Sequence, residues 1–371
     1  MSLHEKYSLT KILNARGTYT PLGVSRSSIE VGGSVSEALT QFFLIDELQS
    51  EISKVVAQMT GAEAAAVVHC TSASITLAVA SAMAGDNPIK IASLPDSSDM
   101  PNRVVIPACH VVNYGHSILT DIRLAGATPV IAGHDKSCTS QNLQEALADT
   151  RTACLLLVSS RLVQVPVDLS EAVTLAHKRN LPAFIDGAAQ DMRIPELLAT
   201  GADLVLVSAQ KYLSSPTAGL IIGRRACVQA CRAQEQGIGR AMKATKEAIV
   251  GVLAALDERQ RLDMTAWRAE QDQKVHWFVK KISGVAGIKA SEMPDPTGAP
   301  FSRVQLRIEP VHRFPTASAL AQALRSGNPS IWVGEHTAEN SLILELVPLS
   351  QEELHQVVER ISELSRQSQQ A

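Results

Sequence analysis

"GADLVLVSAQKYLSSPTAGLIIG", residues 201–223, decides how this chain is read. An apolar run from Leu204 to Ala209, interrupted by one serine, stops at Gln210 and Lys211. A Ser/Pro/Thr/Gly stretch follows, and then a second apolar run. Runs this short and this apolar read as strands buried on both faces. A lysine where such a strand stops is either a solvated end residue or a group held for Schiff-base chemistry, because a buried lysine shifts its pKa readily. The rest of the chain has to decide between the two.

Upstream, short apolar runs alternate with helical ones. Residues 64–68, 103–108, 128–133, 152–159 and 181–186 predict strands, as does 202–211 itself. Residues 47–59, 74–83, 114–125, 142–147, 170–180 and 194–201 predict the helices that precede and separate them. This alternation predicts an α/β fold with a mainly parallel sheet covered by helices. Ligands in such sheets bind outside the carboxyl ends of the strands. The loops after Val68, Ala108, Ser159, Ile185 and Ser208 therefore share one edge. The pattern changes near residue 240. Residues 242–282 predict one long or broken helix, and the strands and helices after it predict a smaller C-terminal α+β domain.

Composition narrows the function. The chain has 371 residues, 45% hydrophobic and 19% charged, with a formal net charge of -3. No basic footprint for nucleic acid is visible, and 4% aromatic residues leave few platforms for stacking bases. The six cysteines are scattered, and Cys227 and Cys231 have no second pair, so no metal site is expected. The N-terminus lacks an apolar signal region. Ala64 to Gly85 contains no Asp, Glu, Lys or Arg. Its serines and threonines make it a strand and a buried helix rather than a membrane span. A soluble, cytoplasmic protein with reduced thiols is expected.

Three loops bear on Lys211. In "PAFIDGAAQ", Asp186 closes a strand as a base, a ligand or the partner of a heterocyclic nitrogen; otherwise it is a turn residue. In "VVHCTSASITLA", Thr71, Ser72, Ala73 and Ser74 open a helix, which makes an anion site or a simple cap. In "PACHVVNYGH", His110 lies just past a strand end as a functional or a structural ring. Together they supply an anion cradle, a flat side chain, a carboxylate and a lysine. Pyridoxal phosphate needs these four things.

The order and wording of these segments resemble the fold-type-I pyridoxal-phosphate enzymes, in the branch of bacterial selenocysteine synthase and D-glucosaminate-6-phosphate ammonia-lyase. The similarity lies in "NARGTYTPLG" (14–23), the phosphate-loop segment at 60–85, "LPAFIDGAAQ", "GADLVLVSAQK" and "GIGRAMKATKEAIVGVLAAL" (237–256). It implies an aspartate aminotransferase-like large domain with a seven-stranded-type sheet at 46–255. It also implies an N-terminal segment, 1–45, that contributes to the active site, and a linking helix with a small domain at 256–371. By the same resemblance Lys211 would bond the cofactor's aldehyde carbon, Asp186 would keep its ring nitrogen protonated, and His110 would stack on its face. Thr71, Ser72, Ala73 and Ser208 would hold its phosphate. A homodimer or larger homo-oligomer is also implied.

Two departures set the substrate apart. The family's Arg-Gly-Pro-Gln after the lysine is Ser214-Ser215-Pro216-Thr217 here, and Val347 stands where an arginine often follows Asp-Pro. Arg16, Thr18 and Arg240 become the candidates for substrate binding, with a surface role as the alternative for Arg16. The expected reaction is α,β-elimination from a small β-substituted or hydroxy amino acid, releasing ammonia. Racemisation, aldol cleavage and β-replacement share its early chemistry, and a non-catalytic regulatory protein is the rival from another class. Neither nucleic acid nor membrane is an expected partner.

Overall fold

Neighbouring residues of the apolar runs face opposite ways in one seven-stranded sheet. The computed structural model describes residues 1–159, 167–188 and 193–366. Its strands are β1 (Ala64–Val68), β2 (Arg103–Pro107), β3 (Thr128–Ala132), β4 (Thr152–Val158), β5 (Ala183–Asp186), β6 (Leu204–Ser208) and β7 (Gly219–Gly223). They lie in the order β1-β7-β6-β5-β4-β2-β3, and only β7 runs antiparallel to its neighbours. Ala65, Val67, Leu155, Leu157, Val205 and Val207 pack into a core on one face. Ala66, Val68, Leu156, Val158, Leu204 and Leu206 pack into the other. Both faces are covered, which is why the strands carry no polar alternation.

The charge-free stretch becomes β1 and helix α1 (Thr71–Ala84). Eleven residues of α1, from Ala73 to Ala84, are buried against the second core. A helix that is apolar all round belongs inside a protein or a membrane, and this one is inside. No helix among the described residues is long and apolar enough to cross a membrane.

Chain contacts divide the molecule at Arg26/Ser27 and Arg261/Leu262. The larger unit, Ser27–Arg261, holds the seven-stranded sheet. Helix Ile29–Leu39 packs on helix Lys246–Arg261 within it, so residues 27–45 belong to this unit and not to a separate N-terminal segment. The long helix predicted for 242–282 is two helices, Lys246–Arg261 and Met264–Ile282. Asp263 starts the second by accepting the Thr265 and Ala266 N–H groups.

The smaller unit joins Met1–Arg26 to the chain from Leu262 onward. Its antiparallel sheet orders the strands Gly334–His336, Ser341–Leu344, Ser302–Ile308 and Ile288–Pro294. Ile12–Asn14 adds a parallel ladder with Ser330–Trp332, which draws the N-terminus into this unit. Gly17 follows that ladder at φ +86°, and a Cβ there would stand 2.1 Å from a Glu345 carboxylate oxygen. The Glu345 carboxylate is itself fixed by Arg303, 2.7 Å away, whose Nε also meets Asp295 at 2.5 Å. Gly17→Ala is expected to cost about 1–3 kcal/mol, from the left-handed backbone and the displaced carboxylate. A lowered unfolding midpoint in a denaturant titration would register it. An unchanged midpoint would mean that Glu345 moves aside freely.

Candidate active site

The carboxyl ends of β1, β2, β4, β5 and β6 converge on one edge, joined there by the amino end of β7. Gly219, the first residue of β7, pairs with both Val68 and Ser208. A Cβ on Gly219 would lie 2.5 Å from the Cys70 backbone and 2.6 Å from Ser74 Oγ. Only glycine lets the loop after β1 close this tightly over β7.

That loop opens α1. The first turn of a helix leaves N–H groups without intrahelical acceptors and carries the positive end of its dipole. The Cys70 thiol accepts the Ala73 N–H, and Ser74 Oγ donates to the Cys70 carbonyl. Thr71 Oγ1 is buried and finds no hydrogen-bond partner. An orphaned hydroxyl at a helix N-terminus is a place for an anion.

Asp186 ends β5, in register with Val158 of β4 and Leu206 of β6. It is 5% exposed, and its Oδ1 accepts the Ala188 N–H at 2.9 Å. Burial pushes its pKa up to about 6 and the Asp121 charge adds to the rise, whereas the Ala188 hydrogen bond and the Lys211 charge pull it down. The fold therefore leaves this carboxylate short of positive charge. A cationic N–H placed against it would supply the rest.

His110 lies in the turn Ala108–His110 directly after β2, 1% exposed. Its Nδ1 faces the Val158 N–H at 3.0 Å and must accept that hydrogen. The ring is thus the Nε2–H tautomer, and burial holds its pKa down to about 4. It presents a flat, neutral surface at this edge. In an NMR titration its signals are expected to stay constant between about pH 6 and pH 8, with the proton on Nε2. A midpoint inside that window would contradict the neutral ring.

Lys211 sits half-buried in the turn Ala209–Tyr212 that follows β6, and Ser208, the last residue of β6, is buried. The turn is held back onto the sheet edge: the Ala209 N–H donates to the Ala218 carbonyl, and the Ser215 N–H to the Ala209 carbonyl. Ser214 takes the left-handed conformation, φ +54°, which turns the chain back toward β7. Thr71, Ser72, Ala73, His110, Asp186, Ser208 and Lys211 are thus gathered at one edge of one sheet. Arg240 lies nearby in sequence to a segment that borders it, for the Met242 carbonyl accepts the His69 N–H and Lys243 bridges Val68. Its own side chain is exposed. Arg16 and Thr18 belong to the smaller unit. The Arg16 guanidinium lies 4.0 Å from the Tyr19 ring centre, and Asn14 accepts its backbone N–H.

Sequence reading missed one group here. The helix predicted for 114–125 begins only at Ile118, and we call Ile118–Leu124 α2. Ser117 caps α2, and residues 113–117 form a turn with Gly115 at positive φ. Tyr114 and His116 can therefore reach back to Asp121 of α2. The Asp121 carboxylate accepts hydrogen bonds from Tyr114 OH, from Ser72 Oγ (2.5 Å) and from His116 Nε2 (2.8 Å). The legible signal was an acid on the apolar stripe of a short helix, between Ile118 and Ile122.

These features fit pyridoxal 5'-phosphate. The orphaned hydroxyl and helix N-terminus suit its phosphate, the charge-short Asp186 suits its ring nitrogen, and Lys211 suits its aldehyde. The fold is that of the fold-type-I pyridoxal-phosphate enzymes. It is shared with a serine palmitoyltransferase solved with the cofactor (TM-score 0.58, 15% identity, 96% of this chain and 88% of that one). The chain belongs to the family of D-glucosaminate-6-phosphate ammonia-lyase. It is 33% identical to that enzyme from Salmonella typhimurium over 98% of both chains. A solved structure of D-glucosaminate-6-phosphate ammonia-lyase superposes with a TM-score of 0.91, covering 99% of each chain at 31% identity. A 5'-C-glycyluridine monooxygenase-decarboxylase from Streptomyces is 31% identical over 97% of this chain and 91% of its own. Residues 166–276 match the family model described as "SelA: L-seryl-tRNA selenium transferase". The protein is an enzyme, and its cofactor is pyridoxal 5'-phosphate.

Proposed function

We propose that the protein is an ammonia-lyase that carries out α,β-elimination on a small amino acid bearing a hydroxyl at Cβ. The observation that carries this reading is the placement of Asp186 at the end of β5 and Lys211 just past the end of the adjacent β6, in a chain collinear with an ammonia-lyase. When bound, pyridoxal phosphate supplies an electron sink for the charge that develops at Cα. Lys211 Nζ would hold the cofactor's aldehyde carbon and, once the substrate amine is in place, would serve as the base for the Cα proton. The same Nζ returns a proton to the departing β-hydroxyl, since His110 is neutral and its Nδ1 is occupied. Asp186 would keep a proton on the ring nitrogen. His110 would shield the cofactor from water, and Thr71, Ser72, Ala73 and Ser208 would hold its phosphate. The balance is one amino acid converted to one ammonia and one 2-oxo acid, with water leaving at Cβ and re-entering at Cα.

Arg16, Thr18 and Arg240 take the anionic groups of the substrate in this reading. An arginine fork matches a carboxylate through two parallel hydrogen bonds. Arg16→Ala is expected to leave cofactor binding intact and to lower kcat/KM by roughly 2–5 kcal/mol in transition-state terms. Parental kcat/KM in that variant would remove Arg16 from the role. The racemase, aldolase, β-replacement and non-catalytic readings are not favoured. Incubation with D- and L-β-hydroxy amino acids, including D-glucosaminate 6-phosphate, should yield ammonia and 2-oxo acid in equal amounts. Racemised substrate, or carbon dioxide without ammonia, would overturn the elimination.

The reading includes a cytoplasmic homodimer or larger homo-oligomer. Ile29 and Phe42 are 96% and 102% exposed on the larger unit, with Leu39 and Leu44 beside them in sequence also exposed, an apolar surface that a second copy would cover. Light scattering on the purified protein tests it, and a monomer at all concentrations would refute it.

A further inference from the structure

We propose that Asp121 is a positioning residue that sets the phosphate loop through the Ser72 hydroxyl. The proposal rests on the cofactor reading above and names a residue that the reaction itself does not use. Asp121 is 0% exposed, so water cannot solvate its charge, and side-chain donors must do so. Three are present: Ser72 Oγ at 2.5 Å and His116 Nε2 at 2.8 Å on one carboxylate oxygen, and Tyr114 OH on the other. Ser72 is the second residue of α1, inside the first turn, beside the orphaned Thr71 hydroxyl. Its hydroxyl hydrogen is committed to Asp121, which fixes the side chain and ties the first turn of α1 to α2. Thr76 adds a second tie one turn along, donating to the Asp121 carbonyl at 3.1 Å.

A carboxylate is the group this position needs. It is acceptor-only and can take three donors, whereas an amide would turn an NH2 toward one of them. Tyr114 reports the same arrangement: burial and then Asp121 push its pKa far up, so that its proton stays between the two groups. Loss of the carboxylate should therefore loosen the seat of the phosphate and leave the attachment of the aldehyde alone.

The test is equilibrium titration of cofactor-free protein with pyridoxal 5'-phosphate and with pyridoxal, which lacks the phosphate. Asp121→Asn is expected to weaken pyridoxal phosphate by about tenfold or more, a typical effect of removing a group that orients a ligand-holding side chain. Pyridoxal should bind almost as it does to the parent. Ser72→Ala should show the same selective loss, and the double variant should lose little beyond either single one. Equal weakening of both compounds, as general damage to the fold would give, overturns the proposal. So does an unchanged preference in Asp121→Asn, or losses that simply add in the double variant. If the parent binds neither compound, the cofactor reading fails first and takes this proposal with it.

Discussion

Lys211→Ala is expected to turn over substrate at less than about one ten-thousandth of the parental rate, because one substitution removes both the cofactor tether and the proton carrier. The two functions are separable by experiment. The parent treated with borohydride should retain pyridoxal phosphate covalently, and peptide mapping should find it on Lys211 alone. The variant should bind the cofactor reversibly, through its phosphate seat, and borohydride should fix nothing. A label on another lysine would move the chemistry away from the end of β6. Retained turnover in Lys211→Ala would do the same.

Asp186 gives the second large effect, and it carries opposite signs in two assays. Asp186→Ala should cut turnover by about a thousandfold, the scale for removing one preorganised electrostatic partner, while Lys211 still binds the cofactor. Without cofactor the carboxylate is a burden. The folded protein keeps the Asp186 proton up to about pH 6, and the unfolded chain releases it near the ordinary value of 3.8. Folded stability therefore falls as pH rises through that interval, and the full penalty, up to about 3 kcal/mol, is present above it. Asp186→Asn keeps an acceptor for the Ala188 N–H and removes the charge. Cofactor-free Asp186→Asn is expected to be more stable to denaturant than the parent at about pH 8, and the two should converge near pH 4. A variant that is less stable at both pH values would make Asp186 a structural turn residue.

The strands and their shared edge were legible because a strand buried on both faces must be written almost entirely in apolar residues, as at Thr152–Val158 and Leu204–Ser208. Lys211 and Asp186 stood out because each interrupts such a run at its end. Asp121 did not. Its partners come from two places, Ser72 from α1 and Tyr114 with His116 from the turn at 113–117, and that turn has a helix-like apolar pattern around it. The affiliation of the N-terminus was hidden for a similar reason, since the pairing of Ile12–Asn14 with Ser330–Trp332 spans nearly the whole chain. Local pattern announces elements. It does not announce which distant elements meet.

Strand β7 has a consequence for how the enzyme comes into being. Among the described residues it is the strand that joins β1, whose loop opens α1, to β6, which ends beside Lys211. A chain emerging from the ribosome has made the loop after β1 long before Gly219–Gly223 exists to lock it beside Ser208. Closing so distant a pairing is slow compared with forming local helices. Asp186 and Lys211 can meet earlier, because β5 and β6 pair directly, but a fragment that stops short of β7 lacks the strand that joins them to the loop after β1.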